Sequence, residues 1–468
     1  MVLRDRKPAY PHKNHNKTLY IDKDVGSSVV YLSVDDIKGY RKHARKYSKR
    51  QRKLMERCIR EFGFVLPILI DNDGTVIAGY LRLMVAKAIG YTKVPVIRIT
   101  HLTPAQVRAL RIADNRLAEL GEWDQELLAI ELQDLIELDY DLDFTGFEAP
   151  EIDLIIGDAL TVGGDGSANE VPDVELVAVS RLGDLWFLDE HTVLCADAGE
   201  IVAYDRLLDA RIAQMAITDP PYNVKIRGNV SGLGNARHDE FVMASGEMFE
   251  ADYEAFLIAF IRNLVRFSLD GSVHYIFIDW RHVGVLESVC GQYFGEQLNL
   301  CVWVKSNGGM GSMYRSRHEL VLVFKNGNAP HINNVQLGRF GRNRTNVWEY
   351  DGCSTGTSDR RADLALHPTV KPAEMIADAI KDGSKRGGLI LDPFLGSGTT
   401  IIACEMTGRV GAGLELDPKY VDVTVRRWEA YTGGNAVHAE TGLTFAETRD
   451  MRTGKQLLLP PPAKTEEG

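Results

Sequence analysis

The stretch LILDPFLGSGTT, residues 389–400, decides the fold of the larger part of this chain. Its first three residues are apolar and predict a buried strand, and Gly396 and Gly398 follow in a turn. Glycine at these positions removes the side chains that would keep a ligand away from the backbone. A strand that breaks into a glycine-rich turn and continues as a helix predicts a ligand site at the carboxyl edge of a parallel sheet.

The next apolar run supplies an acidic residue for the same site. Glu415 lies at the end of the predicted strand 410–416, 17 residues beyond Gly398. A carboxylate placed there can accept hydrogen bonds from both hydroxyls of a ribose. A dinucleotide site would use the same logic, but it requires a third glycine where this chain has Ile401, and the lysine of a phosphate loop is absent. Turn glycines with a purely structural role are the weaker alternative.

A second motif, Asp219-Pro220-Pro221-Tyr222, follows the apolar residues 215–218. An exocyclic amine of a nucleobase is a poor nucleophile because its lone pair is delocalised into the ring. Asp219 and the Pro220 carbonyl can each accept one amine hydrogen and so aim the lone pair, while the prolines fix the backbone. Tyr222 offers a flat face on which a flipped base can stack. Taken alone, a double proline after a strand indicates only a turn.

Strands and helices alternate on both sides of these motifs, to about residue 432, which predicts an α/β fold with a doubly wound, Rossmann-like sheet. The run GGDGS at residues 163–167, with Pro172, predicts a linker before this region. Upstream, residues 34–99 show a smaller α/β pattern with a hairpin turn at residues 72–74, and helical spacing continues from Thr103 to Leu138.

Charge is segregated along the chain. The net charge is −11, yet residues 1–60 hold 17 Lys and Arg against 6 Asp and Glu, and residues 114–175 hold one Arg against 19 acidic residues. A phosphate-facing surface can therefore coexist with an acidic total. We expect the acidic block to be a solvated face.

The totals limit the class of protein. Hydrophobic residues make up 45% and charged residues 25% of the chain, as in globular proteins. No apolar run has the length of a membrane span, and the basic N-terminus lacks the apolar segment of a signal peptide. The six cysteines form no C-x-x-C pair, so neither a zinc site nor a disulfide framework is predicted. A soluble, cytoplasmic protein without a metal is expected.

Together, the two motifs resemble those of the amino-methylating DNA methyltransferases of the β arrangement, in which the catalytic tetrapeptide precedes the glycine loop. The resemblance covers roughly residues 180–432. It implies S-adenosyl-L-methionine as cofactor and double-stranded DNA as substrate. It implies a catalytic motif formed by Asp219, Pro220, Pro221 and Tyr222, and a cofactor site formed by Asp392, Phe394, Gly396, Gly398, Thr399, Glu415, Asp197 and Lys371. Lys371 belongs to the stretch HPTVKP, residues 367–372, which resembles the family's helix-leading cofactor segment.

The same resemblance locates the expected DNA contacts. The family's target-recognition region corresponds to about residues 325–366, which contain Trp348, an aromatic residue able to wedge or stack. Residues 227–248 follow the catalytic motif, where a lid or DNA-contacting loop is expected. The arginines predicted to read guanine or phosphate are Arg339, Arg342, Arg344, Arg315 and Arg317.

The expected reaction is site-specific methylation of adenine N6 in DNA. Cytosine-N4 methylation is the alternative within the same family, and a serine in place of Asp219 would have favoured it. The cytosine-C5 route is excluded because no cysteine follows a proline. A third alternative is a DNA-binding or nucleotide-switch protein whose methylase half is inactive.

Residues 34–115 resemble the ParB/sulfiredoxin-like N-terminal domain, through the strand pattern around residues 67–78 and the turn Gly79-Tyr80-Leu81-Arg82. In that family the Gly-x-x-Arg turn faces phosphate. This chain has Tyr80 and Leu81 where nucleotide-hydrolysing members carry more polar residues, so DNA binding or substrate guidance is the expected role of the domain.

The expected organisation follows from these patterns. It comprises a flexible basic arm (1–30), a ParB-like domain (31–115), a helical extension (116–160), a linker (161–178), the methyltransferase domain (179–435) and a tail (436–468). The architecture resembles phage-associated or orphan bacterial methyltransferases. Assembly as a homodimer is left open.

Overall fold

The computed structural model describes residues 28–40, 45–121, 123–138, 140–159, 168–223, 248–306, 314–335, 344–351 and 370–454. These residues form two compact units. The smaller lies within Met1–Asp124 and Asp143–Gly146, and the larger lies within Gln125–Leu142 and Phe147–Gly468. The predicted arm, residues 1–30, lies almost wholly outside the described residues.

The smaller unit is the predicted small α/β fold. Its described strands form a sheet in the order β1-β4-β2-β3, with β2 and β4 parallel and the other pairs antiparallel. Alternate apolar side chains of β2 and β4 are fully buried and form its core. The elements are β1 (Val30–Ser33), α1 (Lys49–Phe62), β2 (Ile68–Ile70), β3 (Val76–Ala78), α2 (Tyr80–Ala88), β4 (Lys93–Arg98) and α3 (Pro104–Glu119).

Local sequence signals set the helix ends in this unit. Helix α1 begins at Lys49, because Ser48 caps it and exchanges hydrogen bonds with Gln51. It ends at Gly63, which adopts a φ of 76°. Thr103 caps α3 in the same manner, through Gln106.

Two helices lead into the larger unit. Helices α4 (Gln125–Glu137) and α5 (Ala149–Ala159) pack against each other through Leu132, Ile152 and Ile156. A short 3-10 turn, Leu142–Thr145, lies between them in the sequence. Both helices group with the larger unit, although the sequence indicated only a separate helical extension.

Helix α5 is fastened to the large sheet by a buried ion pair. Both oxygens of Asp153 accept hydrogen bonds from the Arg409 guanidinium, at 2.7 and 2.9 Å. Arg386 adds a third cationic nitrogen at 3.1 Å. The side chain of Arg409 is 0% exposed and that of Asp153 8% exposed, so each charge depends on the other.

The predicted doubly wound sheet is confirmed in the larger unit. Ten of its described strands form one sheet, in the order β11-β9-β10-β8-β7-β12-β13-β6-β5-β14. Strands β8, β7, β12, β13 and β6 are parallel, and antiparallel strands flank them on both sides. The strands are β5 (Leu185–Leu188), β6 (His191–Cys195), β7 (Ala213–Thr218), β8 (Ser268–Ile278), β9 (Glu296–Val304), β10 (His318–Lys325), β11 (Val347–Glu349), β12 (Leu389–Asp392), β13 (Val410–Glu415) and β14 (Val437–His438).

Two large apolar clusters cover the sheet, as a doubly wound fold requires. The helices of this unit that follow α5 are α6 (Ile201–Leu208), α7 (Glu250–Arg266), α8 (Val283–Tyr293), α9 (Ala373–Gly383), α10 (Thr399–Thr407), α11 (Pro418–Thr432) and α12 (Phe445–Thr453). From β7 the chain continues through α7 to β8 on one side, whereas from β12 it continues through α10 to β13 on the other. The carboxyl ends of β7 and β12 therefore border a topological switch point, where α/β sheets bind their ligands.

The prediction of a tail over residues 436–468 is wrong for residues 436–454. Strand β14 pairs with β5, and α12 buries Phe445 against Trp186. The Asp184 carboxylate holds both elements, since it contacts Arg452 of α12 and His438 of β14. The signal was present, because Thr444 and Glu447 form a capping box that marks the start of a helix. Residues 455–468 lie outside the described residues.

The prediction of a linker over residues 161–178 also needs correction. Residues 168–178 are part of the larger unit, which they contact through specific hydrogen bonds. The Asn169 amide donates to Glu374 at 3.0 Å and accepts from the backbone N–H of Ala373 at 3.0 Å. Arg426 of α11 bonds Glu175 at 2.9 Å. Within the described residues, no helix is both long and apolar enough to cross a membrane.

The buried ion pair at α5 gives a stability prediction. Replacing Asp153 by alanine leaves the Arg409 guanidinium buried without its carboxylate, and we expect the free energy of unfolding of the larger unit to fall by about 3 kcal/mol. Replacing Glu440, whose ion pair with Arg206 is exposed, should cost less than about 1 kcal/mol. Urea denaturation followed by tryptophan fluorescence measures both changes. Equal effects of the two substitutions would show that α5 is not fastened in this way.

Candidate active site

Acidic residues gather at one edge of the large sheet. Each of the parallel strands β6, β7, β8, β12 and β13 ends at an acidic residue or within two residues before one, and parallel strands place their carboxyl ends together. Strand β9 ends at this edge too, and the antiparallel β10 begins there. The residues brought together in this way are Asp197, Asp219, Asp279, Asp392, Glu415, Lys305 and Glu319.

The two glycines of the loop between β12 and α10 have different surroundings. Gly398 adopts a φ of 80°, and a Cβ atom added to it would lie 2.7 Å from Thr424 Cγ2. Its missing side chain therefore allows α11 to pack against the loop. Gly396 adopts a φ of 55°, and a Cβ atom there would meet no atom within 4 Å. Gly396 thus faces open space, as expected for a glycine beside a ligand.

A buried arginine supports this loop, and sequence reasoning missed it. Arg427 of α11 donates to the Ser397 carbonyl and to the Thr399 hydroxyl, both at 3.0 Å, and to the Ala168 carbonyl at 2.8 Å. The available signal was its place on the buried face of α11, four residues after Val423. Thr399, predicted to bind the cofactor, is used here in fixing the loop.

Glu415 is aimed at the loop by backbone donors. One carboxylate oxygen accepts from Gly396 N at 2.8 Å, and the other accepts from Asp417 N at 2.8 Å. Burial raises the pKa of Glu415 to about 7, although both N–H groups act in the opposite direction. The carboxylate keeps lone pairs for a further donor, as a ribose-binding acid requires.

Asp392 connects the glycine loop to the strand that carries the second motif. One oxygen accepts from the Thr218 hydroxyl at 2.9 Å and from Phe394 N at 3.1 Å, and the other accepts from the Thr400 hydroxyl at 2.6 Å. Burial raises the pKa of Asp392 to about 6, against these three donors. Because Thr218 immediately precedes Asp219, this carboxylate holds the two predicted motifs side by side.

Two further predicted cofactor residues also lie at this edge. The Asp197 carboxylate accepts from Gly199 N at 2.7 Å and is partly exposed after β6, the neighbour of β13. Phe394 packs edge-on against Phe260 of α7, with ring centroids 5.0 Å apart, and remains half-buried. Both are positioned to border a ligand that rests on the glycine loop.

Asp219 lies at the end of a partly buried row of alternating charges. Its Oδ1 contacts the Tyr222 hydroxyl, and its Oδ2 contacts the Lys371 ammonium. Lys371, predicted to bind the cofactor, thus lies against the carboxylate of Asp219, and its side chain is only 8% exposed. Lys371 Nζ also lies 3.1 Å from Glu319 Oε2, while Lys305 contacts the other oxygen of Glu319.

The pKa shifts follow from this sequence of charges. Burial would raise the pKa of Glu319, but Lys371 and Lys305 lower it to about 2. Burial raises the pKa of Asp219 and Glu319 adds to the effect, while Lys371 opposes it. Burial works against the charge of Lys371, yet Asp219 and Glu319 raise its pKa above the ordinary value. Sequence reasoning missed Glu319 as a site residue, because only the antiparallel direction of β10 brings it here.

The backbone of the second motif is held by its surroundings. The Tyr253 hydroxyl donates to the Pro221 carbonyl at 3.2 Å, whereas no described residue donates to the Pro220 carbonyl. The Asn223 side chain bonds the backbone of Met248 at 3.0 and 3.3 Å. The predicted lid or DNA-contacting loop, residues 227–248, lies outside the described residues except for Met248.

The structure separates the residues predicted to contact DNA. Arg315 and Arg317 are exposed near the start of β10, and Arg317 Nε donates to the Lys305 carbonyl at 2.9 Å. Arg344 is instead engaged within the unit, by Asp382 at 2.7 Å, Asp378 at 3.1 Å and Tyr350 at 2.7 Å. Arg339 and Arg342 lie outside the described residues.

The prediction that Trp348 contacts bases needs correction, because this side chain is 4% exposed and packs against Tyr275 in the core. A tryptophan buried in this way is not available to wedge between bases or to stack on one.

The Gly-x-x-Arg turn of the smaller unit lines a cavity of about 340 Å³. Gly79 begins α2 with a φ of 91°, and Arg82 donates to the Pro67 carbonyl at 3.3 Å. Burial lowers the pKa of Arg82, while Asp114 and Tyr47 oppose the shift. In the same unit, α1 exposes the cations Lys49, Arg52 and Lys53.

Fold and site together comprise a Rossmann-like sheet with a glycine loop, the oriented carboxylate of Glu415 and an adjacent Asp-Pro-Pro-Tyr motif. Residues 213–426 match the family model N6_N4_Mtase, described as DNA methylase, and residues 126–182 match the ParB-methyltransferase HTH domain. The chain therefore contains an N6_N4_Mtase DNA methylase domain and a ParB-methyltransferase HTH domain. The resemblance found in the sequence is thereby confirmed, as is the cofactor class, S-adenosyl-L-methionine.

Individual relatives cover parts of the chain. The type II methyltransferase M.HpaI of Haemophilus parainfluenzae is 25% identical over 263 residues, which are 52% of this chain and 76% of the relative. The type II methyltransferase M.ScaI of Streptomyces caespitosus is 39% identical over 96 residues, 20% of this chain and 32% of the relative. The crystal structure of the M1.HpyAVI–SAM complex covers 50% of this chain and 98% of its own, with 20% identity and a TM-score of 0.37.

The two glycines of the loop should respond differently to alanine. Gly398→Ala introduces a Cβ atom against Thr424, and we expect a loss of about 2 kcal/mol in the free energy of unfolding. Gly396→Ala costs only the left-handed backbone, about 1 kcal/mol, but places a methyl group in the open space beside Glu415. We therefore expect Gly396→Ala to weaken S-adenosyl-L-methionine binding more than it weakens folding. Calorimetric titration measures the cofactor affinity, and denaturation measures the free energy of unfolding. If both variants lost affinity and stability in the same proportion, the two glycines would not have these different roles.

Proposed function

We propose that this chain transfers a methyl group from S-adenosyl-L-methionine to the N6 amine of adenine in double-stranded DNA. The observation that carries the proposal is the Asp392 carboxylate, which bonds both the glycine loop and Thr218, next to Asp219. This contact supports the proposal, because it brings Asp219, the proposed acceptor for a base amine, close to the glycine loop, the proposed site of the methyl donor.

The residues at the sheet edge fit the methyl donor. Gly396 leaves open space at the loop, and Glu415 presents an oriented carboxylate toward which ribose hydroxyls could donate. Asp197 and Phe394 would border the rest of the molecule. The bound cofactor supplies a methyl group on a sulfonium, which is transferred in line to a nucleophile.

Asp219 and the Pro220 carbonyl would prepare the nucleophile. Each accepts one hydrogen of the flipped adenine amine, so the nitrogen turns its lone pair toward the methyl carbon. The nitrogen forms the new bond as the carbon–sulfur bond breaks, and the surplus proton leaves along the hydrogen bond to Asp219. Positioning and fixed dipoles would carry most of the catalysis, without a covalent enzyme intermediate.

Adenine is favoured over cytosine by the aspartate at position 219, since a serine there would favour cytosine N4. Cytosine-N4 methylation is the alternative, because its amine would be held by the same two acceptors. We propose that two groups of exposed cations bind the DNA backbone. The first is Arg315 and Arg317 beside the site, and the second is Lys49, Arg52 and Lys53 of α1. The α4–α5 pair lies in the matched HTH domain and is the proposed reader of sequence.

Replacing Asp219 by alanine tests the proposal directly. We expect the turnover number for tritiated methyl transfer to unmodified genomic DNA to fall about 100- to 1000-fold, because one of the two amine acceptors is lost. Asp205→Ala, at an exposed position of α6, is the matched control and should be as active as wild type. Equal incorporation by wild type and Asp219→Ala would overturn the assignment. Digestion of the product to nucleosides then distinguishes N6-methyladenine from N4-methylcytosine.

The raised pKa of Glu415 predicts a pH dependence of cofactor binding. Below a pKa of about 7 the carboxyl takes up a proton and loses an acceptor, so affinity should fall about tenfold between pH 8 and pH 6. The folded state binds this proton more tightly than the unfolded state. The contribution of Glu415 to stability is therefore present below its ordinary pKa and lost as pH rises through about 7.

Titration calorimetry across this range checks the affinity, and Glu415→Gln should bind weakly with little pH dependence. An unchanged slope in Glu415→Gln would assign the effect elsewhere, for example to Asp392.

A further inference from the structure

The acceptor that the proposed reaction needs is already occupied in this structure. Asp219 Oδ1 contacts the Tyr222 hydroxyl, and Oδ2 contacts the Lys371 ammonium. A base amine that donates to Asp219 must therefore displace a donor. Tyr222 belongs to the same tight turn, and its hydroxyl also lies 3.4 Å from Glu319 Oε2. Lys371 reaches Asp219 from the segment before α9 on a long, flexible side chain, so we take Lys371 as the donor that the amine displaces.

Lys371 has a second anionic partner in place. Its Nζ lies 3.1 Å from Glu319 Oε2 and 5.2 Å from the centre of the Phe277 ring. Glu319 is itself held by Lys305, whose Nζ lies 4.6 Å from the centre of the Trp303 ring. A buried ammonium that left Asp219 would thus remain paired with Glu319 and in contact with an aromatic face.

We propose that Glu319 is a positioning residue, which retains the Lys371 ammonium when the target amine takes its place on Asp219. This inference rests on the proposed function. Without the second carboxylate, release of Asp219 would leave a buried ammonium without an ion-pair partner, which is strongly unfavourable. Glu319 would therefore lower the cost of exchanging one donor for the other, and it would act on catalysis without contacting the base.

A purely structural role would be to join the ends of β9 and β10 through the Lys305–Glu319 contact. The two roles differ in their effect on the ionisation of Asp219. The groups that face this carboxylate are Lys371 from the segment before α9, Glu319 from β10, with Lys305 behind it, Tyr222 from the motif itself, and Asp392 from β12, while Asp279 after β8 faces Tyr222. Among these anions Glu319 has the largest effect on Asp219 and opposes its ionisation, whereas Lys371 favours it.

Steady-state methylation with two opposite variants separates these roles. In Glu319→Gln, Asp219 is the one carboxylate that still pairs with Lys371, so displacing Lys371 from Asp219 costs more. We therefore expect the turnover number to fall about 10- to 100-fold. The acid limb of its pH profile should move about one unit lower, because Asp219 ionises more readily. In Lys371→Met the acid limb should move to higher pH. The affinity for S-adenosyl-L-methionine should stay within about twofold of wild type in both variants.

The matched control is Glu296→Gln, which breaks the exposed ion pair with Lys325 at the other end of the same two strands. It should leave both the turnover number and the pH profile unchanged. Glu319→Asp retains the charge and should keep the wild-type acid limb, so it serves if Glu319→Gln does not fold.

Three results would overturn the inference: wild-type turnover in Glu319→Gln, reduced turnover with an unmoved acid limb, or shifts in the same direction for Glu319→Gln and Lys371→Met. Absence of DNA methylation by wild type would instead defeat the proposed function itself, so the two failures are distinguishable.

Discussion

The hydrogen bonds accepted by the Asp392 carboxylate are the interaction on which the rest of the active site depends. The carboxylate accepts hydrogen bonds from Thr218, Phe394 and Thr400, and so joins the end of β7 to the loop that follows β12. Parallel pairing brings these two strand ends together, and their connections depart in opposite directions, which opens a crevice between them. A donor site and an acceptor for a base amine can therefore share one small volume.

Buried charge is arranged differently in the two halves of this crevice. On the cofactor side, Glu415 and Asp392 are held by neutral hydrogen-bond donors, and burial raises their pKa values to about 7 and about 6. On the substrate side, carboxylates and ammonium groups alternate, and Glu319 stays ionised. The first arrangement suits a neutral sugar. The second keeps an acceptor charged but occupied until a competing donor arrives.

The sequence predicted what local signals can carry. The strand–glycine–helix pattern at residues 389–400 predicted the sheet, and the structure brings this segment and the Asp-Pro-Pro-Tyr motif together at its edge. Glu319 and Lys305 were not assigned to the site, and Arg427 was missed, because strand direction and helix packing bring them in from distant positions. The same reason applies to Trp348 and Arg344, whose types suit DNA but whose partners lie in the protein. The supposed tail was misjudged although Thr444 and Glu447 marked a helix.

The most direct test is a crystal structure of the wild-type chain with a non-transferable analogue of S-adenosyl-L-methionine and a DNA duplex that contains its recognition sequence. The account predicts that the ribose of the analogue contacts Glu415 above Gly396. It also predicts that a flipped base has its amine bonded to Asp219 and the Pro220 carbonyl, about 3 to 3.5 Å from the position of the transferred methyl group. An analogue bound away from the glycine loop, or a base amine that does not reach Asp219, would contradict it.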